Sequence, residues 1–231
     1  MKIEKRADII RDWINEYCSK MVTGPNALVI GISGGIDSSV VSTLCAQTSR
    51  KTIVVSMPIK QIKSQHDLSL SHGEWLESKF KNVKFKIIEI DKVFNSFKST
   101  LSDFDSEHGL ANSRARLRMT TLYQIAAAES GIVVGTGNKV EDFGVGFYTK
   151  YGDGGVDISP IGDCNKSLVW DLGRHLGILK EIIEAPPTDG LWNDGRNDED
   201  QLGMSYSQLE KAMEDKDDPN YKKYLEIRNK N

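Results

Sequence analysis

Residues 27–39 read Ala-Leu-Val-Ile-Gly-Ile-Ser-Gly-Gly-Ile-Asp-Ser-Ser. The first six residues form a short apolar run bounded by turn-forming residues, which is typical of a buried parallel strand. A helical pattern starts at about residue 38, so the glycine-rich and serine-rich part joins a strand to a helix. Glycines let a ligand approach the backbone, and the start of a helix offers free N–H groups. The loop is therefore suited to binding an anion, the alternative being a turn that only caps the helix.

Apolar runs like the first recur along the chain at 52–57, 83–90 and 131–135. Helical patterns lie between them at about 38–49, 65–80 and 112–129. Strands that alternate with helices predict right-handed crossovers and a doubly wound parallel sheet. An amphipathic helix is expected before the first strand, at 4–20, and further helices near 166–180, 205–214 and 219–229. We expect one α/β domain over residues 1–231, with the three-layer sandwich of Rossmann-like folds.

The composition is that of a globular protein. Of 231 residues, 39% are hydrophobic and 27% are charged, and the mean hydropathy is −0.40. No apolar run approaches the ~18 residues of a membrane span, and residues 1–20 lack the apolar core of a signal peptide. The net charge of −3 comes without a concentrated basic face. We therefore expect a cytoplasmic protein with no membrane or nucleic-acid partner.

The cysteines and histidines give no sign of a disulfide framework or a zinc site. The three cysteines are far apart in sequence and form no Cys-x-x-Cys pair. The four histidines also lack the spacing of a metal site. All three thiols are expected to be buried and small: Cys18, Cys45 and Cys164.

Asp37 lies inside the anion-binding loop, where its charge would repel an anionic ligand. A divalent cation removes this conflict, because Mg²⁺ binds one or two carboxylates together with substrate phosphates. Glu141 is the best second carboxylate, since it follows the fourth predicted strand in the run Gly-Thr-Gly-Asn-Lys-Val-Glu-Asp at 135–142. The carboxyl ends of parallel strands meet at one edge of a doubly wound sheet. We therefore predict that Asp37 and Glu141 hold Mg²⁺, although Glu141 could equally be a surface carboxylate.

The predicted helix at 112–129 opens with Asn-Ser-Arg-Ala-Arg-Leu-Arg-Met. At 3.6 residues per turn, Asn112 and Arg116 share one face, and Arg114 and Arg118 share a roughly opposite face. The first pair could bind a carboxylate or phosphate, for which a guanidinium is well suited. For Arg114 and Arg118 we expect salt bridges at a surface or a subunit contact.

Three further segments have a polar or glycine-rich character. The loop at 147–157 combines aromatic residues, a lysine, carboxylates and glycines, which is typical of a functional loop. Lys166 opens a later helix, where a cation is unfavourable unless an anion lies beside it, so it is a candidate phosphate ligand. The acidic stretch at 193–200 is either a solvated loop or an active-site lid.

Taken in order, these motifs resemble those of the ammonia-dependent NAD synthetases. The loop at 33–39 resembles the Ser-Gly-Gly-x-Asp-Ser loop of a wider superfamily, the N-type ATP pyrophosphatases, and differs from Walker A and Gly-x-Gly-x-x-Gly loops. The run Thr-Lys-Tyr-Gly-Asp-Gly-Gly at 149–155 is more specific for the synthetases. Further matches lie at 112–119, 135–142, 187–188 and 198–203, so the resemblance covers nearly the whole chain. It implies the adenine-nucleotide alpha-hydrolase-like form of the doubly wound fold.

The resemblance also implies which residues bind the substrates. ATP contacts are expected at Gly31, Ile32, Ser33, Gly34, Gly35, Ile36, Asp37, Ser38, Thr136, Lys166 and Thr188. Deamido-NAD contacts are expected at Asn112, Arg116, Lys150 and Asp157. The expected catalytic residues are Asp37, Glu141 and Lys166, with Mg²⁺ on the two carboxylates. The family's C-terminal His-Lys pair, which contacts the dinucleotide, has no match in residues 228–231, so no residue is assigned to that contact.

The implied reaction is the amidation of deamido-NAD (nicotinic acid adenine dinucleotide) to NAD. ATP adenylates the substrate carboxylate with release of pyrophosphate, and ammonia then displaces AMP. Free ammonia rather than glutamine is the expected nitrogen donor, because the motifs occupy residues 27–203 and leave little chain for a glutaminase domain. A homodimer is expected, with the dinucleotide site at the subunit interface.

Two other functions fit parts of the pattern. A tRNA-thiolating or amidating ligase with the same loop would need reactive cysteines and a basic RNA-binding extension, and neither is visible. A non-catalytic nucleotide sensor of the same fold would not need paired carboxylates. Because Asp37 and Glu141 are predicted to form such a pair, the sequence favours the synthetase.

Overall fold

A computed structural model of the chain describes residues 1–60, 63–188 and 197–230. Its strands are β1 (Ala27–Gly31), β2 (Lys51–Ser56), β3 (Val83–Ile87) and β4 (Ile132–Val133). The helices of the first part are α1 (Ile3–Lys20), α2 (Ile36–Gln47), α3 (Lys63–Lys79), α4 (Asp91–Thr100) and α5 (Glu107–Ala128). Those of the second part are α6 (Lys166–Leu176), α7 (Lys180–Ile183), α8 (Asp198–Leu202), α9 (Tyr206–Glu214) and α10 (Tyr221–Arg228). A short 3₁₀ helix (Ser102–Phe104) and a π-helix (Lys139–Val145) complete the elements.

The four strands form a parallel sheet in the order β3-β2-β1-β4. Val29 in the middle of β1 lies between Ile53 of β2 and Val133 of β4. The predicted doubly wound parallel sheet is therefore confirmed. The fourth strand is shorter than predicted, because beyond it the chain pairs with a later segment, through a bridge between Val134 and Ile158.

Apolar residues alternate along the strands and fill a core on each face of the sheet. Leu28 and Ile30 of β1 pack with α1, α2 and α6, whereas Val29 packs with residues of α4 and α5. A smaller cluster joins α2 and α3 to the edge of β2 and β3. Because β1 and β2 are covered on both sides, their apolar runs are nearly continuous, as buried parallel strands require, whereas the edge strand β3 has exposed lysines at 84 and 86. The predicted three-layer sandwich is confirmed.

The helices differ from the predictions in ways that follow from local capping. Helix α5 starts at Glu107 rather than 112, because the Ser106 side chain accepts a hydrogen bond from the N–H of Gly109 and caps it. The single helix predicted at 166–180 is divided by Gly177, whose φ of 71° ends α6 before α7 begins. Helix α4 was not predicted, and Phe94 is its only buried residue.

A fourth apolar cluster joins the C-terminal helices α9 and α10 to the π-helix. Leu209 of α9 and Val140 of the π-helix are both fully buried in it. Residues 193–196 of the acidic stretch lie outside the described residues, while Asn197 caps α8 by accepting a hydrogen bond from the N–H of Asp200. Within the described ranges, no helix is both long and apolar enough to cross a membrane.

Candidate active site

The glycine-rich loop ends β1 and leads directly into α2, as predicted. Gly34 has a φ of 88°, and a Cβ atom there would lie 2.7 Å from the carbonyl oxygen of Gln65, so only glycine fits. The Ser38 hydroxyl accepts from the N–H of Ser33 at 3.2 Å and donates to the carbonyl of Gly35 at 3.1 Å. These bonds hold the loop in a fixed shape at the start of a helix, where a phosphate is favoured.

Asn138 connects this loop to the segment that follows β4. It is fully buried, and its side-chain oxygen accepts hydrogen bonds from the N–H groups of Val140 and Glu141, each at 3.1 Å. Its amide nitrogen donates to Asp37 Oδ1 at 3.0 Å. One side chain thus caps the π-helix that carries Glu141 and orients Asp37. The sequence analysis missed Asn138, although an Asn directly before a helical turn is a capping signal.

Lys166 lies between the two predicted metal ligands. Its Nζ atom donates to Asp37 Oδ2 at 2.6 Å and to Glu141 Oε1 at 2.8 Å, and its side chain is 2% exposed. The two carboxylates place negative charge beside this lysine, and its contact with a phosphate remains a prediction. The structure brings together all three expected catalytic residues.

The charges of this cluster do not balance. Burial by itself would lower the pKa of the Lys166 ammonium, but Asp37 and Glu141 raise it above its ordinary value. One ammonium can neutralise only one carboxylate. Burial raises the pKa of Asp37 above its ordinary value. Burial also acts on Glu141, but Lys166 and the hydroxyl of Tyr206 hold its pKa below the ordinary value. Burial and the nearby carboxylates also raise the pKa of Asp142 to about 7. The site is short of positive charge.

The residues of the cluster fit Mg²⁺. Asp37 and Glu141 both contact one cation, the Lys166 ammonium, and Mg²⁺ prefers such carboxylate oxygen donors. Across 1–60, 63–188 and 197–230, no group of three or more His, Cys, Asp or Glu side chains could hold a metal ion by itself. Two carboxylates completed by substrate phosphates are a usual Mg²⁺ environment.

Tyr206 is a second residue that the sequence analysis missed. Its hydroxyl lies 2.6 Å from Glu141 Oε1 and 3.1 Å from Asp198 Oδ2. Burial, Glu141 and Asp198 raise the pKa of this phenol, so it remains a donor. Only the packing of α9 against the π-helix brings it to the site, and no local pattern predicts that contact.

The predicted faces of α5 are confirmed. Asn112 Oδ1 accepts from the hydroxyl of Thr149 at 2.7 Å, and Arg116 Nε donates to the carbonyl of Lys150 at 3.1 Å. This face therefore contacts the loop that carries the specific Thr-Lys-Tyr-Gly run. Arg116 is exposed and available to a ligand.

The expected surface position is wrong for Arg114. Its side chain is buried, with the guanidinium carbon 5.1 Å from the ring centre of Phe94 on α4. Arg118 Nε donates to the carbonyl of Met57 at 3.1 Å. A long arginine stem packs well on an aromatic ring, which is why α4 covers this face.

The remaining predicted ligand residues are less closely grouped. Lys150 is exposed, with its ammonium 5.2 Å from the ring centre of Tyr151. Asp157 accepts from the N–H of Val133 at 2.7 Å and from the Tyr123 hydroxyl at 3.2 Å, so its carboxylate also supports the end of β4. Thr136 and Thr188 are partly buried, and their contacts with ATP remain predictions.

Relatives of known name align with most of this chain. The chain is 38% identical over 219 residues to the NH(3)-dependent NAD(+) synthetase of Methanococcoides burtonii, covering 93% of this chain and 80% of the relative. It is also 38% identical over 221 residues to that of Thermoplasma acidophilum, covering 93% and 89%.

Solved structures are similar over nearly the whole chain. The NMN synthetase of Francisella tularensis has a TM-score of 0.90 and 29% identity, covering 100% of this chain and 94% of the other. The NH3-dependent NAD synthetase of Campylobacter jejuni has a TM-score of 0.78 and 28% identity, covering 99% and 93%. The family model for NAD synthase matches residues 6–230. With the phosphate loop, the paired carboxylates and these relatives in agreement, the chain belongs to the NAD synthase family.

Proposed function

We propose that this chain catalyses the ATP-dependent amidation of deamido-NAD with ammonia, as a ligase that forms a carbon–nitrogen bond. The names of its relatives support this reaction. The observation that carries the proposal is the contact of Lys166 with both Asp37 and Glu141 at the end of a phosphate-binding loop. Two carboxylates that share one cation beside such a loop are suited to binding ATP together with a metal ion.

The proposed reaction has two steps. An oxygen of the nicotinate carboxylate attacks the α-phosphorus of ATP, the bond to the β-phosphate oxygen breaks, and pyrophosphate leaves. Ammonia then attacks the carbonyl carbon of the acyl-adenylate, AMP leaves, and the nitrogen loses a proton to give the amide. A free carboxylate is a poor electrophile, so adenylation supplies the leaving group. The protein's part is to position the reactants and stabilise charge.

Lys166 and a bound Mg²⁺ are proposed to supply the positive charge that the phosphates need, since the two carboxylates outnumber the one ammonium. Lys166 has three N–H donors, of which two are used by the carboxylates, and the third is proposed to donate to a phosphate oxygen. Asp37 and Glu141 are proposed to hold Mg²⁺, which when bound neutralises phosphate charge. The N–H groups of the glycine-rich loop at residues 31–38 are proposed to bind the pyrophosphate part of ATP, with Thr136 and Thr188 as further contacts.

The other substrate is proposed to bind along α5 and the loop that it contacts. Arg116 offers a guanidinium to the dinucleotide, and Asn112, Lys150 and Asp157 are its proposed neighbours. The hydrogen bond from Arg116 Nε to the carbonyl of Lys150 supports a common surface for these residues.

Ammonia is the proposed nitrogen donor because no cysteine of the chain suits glutamine hydrolysis. All three cysteines are buried. Burial and the neighbouring Asp163 raise the pKa of Cys164 to about 12, so its thiol is not reactive at neutral pH. A buried, protonated thiol cannot serve as the nucleophile that a glutaminase needs.

The proposal is tested by incubating the purified chain with ATP, Mg²⁺, deamido-NAD and an ammonium salt. NAD, AMP and pyrophosphate should form in equal amounts, at a rate that rises with pH as more NH₃ becomes available. Ammonia-free glutamine should not replace the ammonium salt. Release of ADP and phosphate, or no NAD at all, would contradict the proposal.

A second candidate substrate is nicotinate mononucleotide. The Francisella tularensis structure, an NMN synthetase, has a TM-score of 0.90, against 0.78 for the Campylobacter jejuni NAD synthetase. The same two steps convert either substrate, because the reacting carboxylate is identical. Measuring kcat/KM for the mononucleotide and the dinucleotide under the same conditions decides between them, and a value at least tenfold higher for the mononucleotide would favour the second candidate.

We further propose a homodimer in which α4 lies at the subunit contact. Val93 is 53% exposed and Phe104, just after α4, is 80% exposed, so this side carries an apolar surface next to α5 and its arginines. The variant Val93→Glu should give a monomer mass by light scattering. Trp13→Glu, which alters an exposed aromatic residue of α1, is the control and should remain a dimer. Wild-type protein with a monomer mass and full activity would exclude the proposal.

Residues 1–231 are proposed to form one domain, because the family match extends over residues 6–230. A cytoplasmic location is proposed because three free, buried cysteines fit a reducing compartment.

A further inference from the structure

Tyr206, the first residue of α9, is buried against the carboxylate cluster. Its side chain is 1% exposed, and its hydroxyl donates to Glu141 Oε1 at 2.6 Å. Lys166 Nζ donates to the same oxygen at 2.8 Å. Glu141 Oε1 is therefore held between a phenol and an ammonium, which restricts the rotation of the carboxylate.

The ring of Tyr206 also contacts the ammonium. Lys166 Nζ lies 4.8 Å from the centre of this ring and 6.0 Å from that of Trp170. The two rings meet edge to face, with centres 5.9 Å apart and planes at 87°. A cation near the faces of buried rings is attracted to them. One residue thus restrains both Glu141 and Lys166.

We propose that Tyr206 is a positioning residue, which acts through Glu141 and does not touch either substrate. This inference rests on the proposed function of the cluster. It gives the C-terminal helices a part in the site: α9 is packed on the π-helix by the cluster that contains Leu209 and Val140, so the phenol reaches Glu141 from a rigid support. Groups that orient a metal-binding carboxylate in this way commonly change metal affinity or activity when they are removed.

The variant Tyr206→Phe removes the hydroxyl and retains the ring. Its kcat should fall about tenfold while the KM for deamido-NAD stays unchanged. Without substrates, its affinity for Mn²⁺, measured by electron paramagnetic resonance, should also fall about tenfold. Tyr224→Phe is the matched control, because Tyr224 is buried in the same cluster but donates to the carbonyl of Gly144 at 3.1 Å. Its kcat and Mn²⁺ affinity should remain those of the wild type.

A double-mutant cycle tests whether Tyr206 acts through Glu141. In a Glu141→Gln background, Tyr206→Phe should cause a smaller change in the urea midpoint than it does in the wild type, since the contact with the Glu141 carboxylate is already lost and only that with Asp198 remains. If Tyr206→Phe does not fold, the hydroxyl proton resonance of Tyr206 is followed by NMR instead, and it should move upfield in Glu141→Gln.

Three results would overturn the proposal. They are an unchanged kcat and Mn²⁺ affinity in Tyr206→Phe, an equal loss of kcat and Mn²⁺ affinity in Tyr224→Phe, and changes in the urea midpoint that add in the double mutant. An unshifted hydroxyl resonance in Glu141→Gln would do so as well. These binding and unfolding measurements need no turnover. They therefore decide on Tyr206 even if the wild-type protein fails to make NAD, a failure that would count against the proposed function alone.

Discussion

Replacing Lys166 by methionine removes the one ammonium that lies between Asp37 and Glu141. Methionine keeps a long apolar side chain, so the main change is electrostatic. Lys166 is 2% exposed, and the side chains of Asp37 and Glu141 are 18% and 16% exposed, so water can replace little of the lost interaction. Removing one partner of a buried ion pair costs about 3–5 kcal/mol, a large part of the about 5–15 kcal/mol by which domains are stable.

The assay is urea unfolding at pH 8 and at pH 5.5. Without Lys166 the two carboxylates repel each other, so the pKa of one of them rises and it takes up a proton as the pH falls. The destabilisation relative to the wild type should therefore be largest at pH 8 and smaller at pH 5.5. Mg²⁺ should stabilise the variant, by about 1.4 kcal/mol at ten times its Kd.

The control for this prediction is Lys51→Met. Lys51 forms an ion pair with Glu129, and both side chains are 38% exposed, so this variant should move the midpoint much less. A Lys166→Met protein with the midpoint of the wild type at pH 8 would refute the reasoning. Equal losses for both variants would refute it too, since burial would then make no difference.

Three more predictions concern the carboxylate pair, the arginines of α5 and a buried histidine. Asp37→Asn should lower kcat about 100-fold or more. It should cost little stability, because Glu141 and Lys166 remain paired. A near-normal kcat in steady-state kinetics would contradict the role of Asp37. Arg116→Ala should raise the KM for deamido-NAD more than the KM for ATP. Arg114→Ala should leave both KM values unchanged but lower the melting temperature, because the packing of Arg114 on Phe94 is lost. His72 of α3 is fully buried beside the Ser42 hydroxyl, and burial lowers its pKa to about 4. Its contribution to stability is therefore complete above its unfolded pKa and is lost as the pH falls towards 4, by about 2 kcal/mol at pH 5. Urea unfolding at several pH values measures this loss, which should be absent in His72→Gln.

The sequence by itself was enough to predict the fold class and the main part of the site. Strand positions were visible because buried parallel strands are nearly continuous apolar runs, and β1 and β2 lie within one or two residues of the predicted bounds. The face shared by Asn112 and Arg116 was also predictable, since helical geometry places residues four apart side by side. These features depend on neighbours in sequence.

Local geometry could not predict how α4 packs. Its sequence is amphipathic but its apolar residues are mostly exposed, and its periodicity does not show that it buries Arg114 beneath Phe94. The expected surface position of Arg114 was wrong because a charged residue was assumed to face water. Burial of a long arginine stem is decided by the element that covers it, which helical periodicity does not describe.

The resemblance pointed to Asp37, Glu141 and Lys166 as one site, but their mutual contacts are a property of the tertiary structure alone. Asp37 follows β1, Glu141 lies in the π-helix after β4, and Lys166 begins α6. Their side chains meet because β1 and β4 are adjacent in the sheet and α6 packs on α2. Asn138 and Tyr206 complete the arrangement from positions that no short-range pattern connects. Periodicity and capping depend on residues a few positions apart, whereas the distances between these groups depend on how whole elements pack.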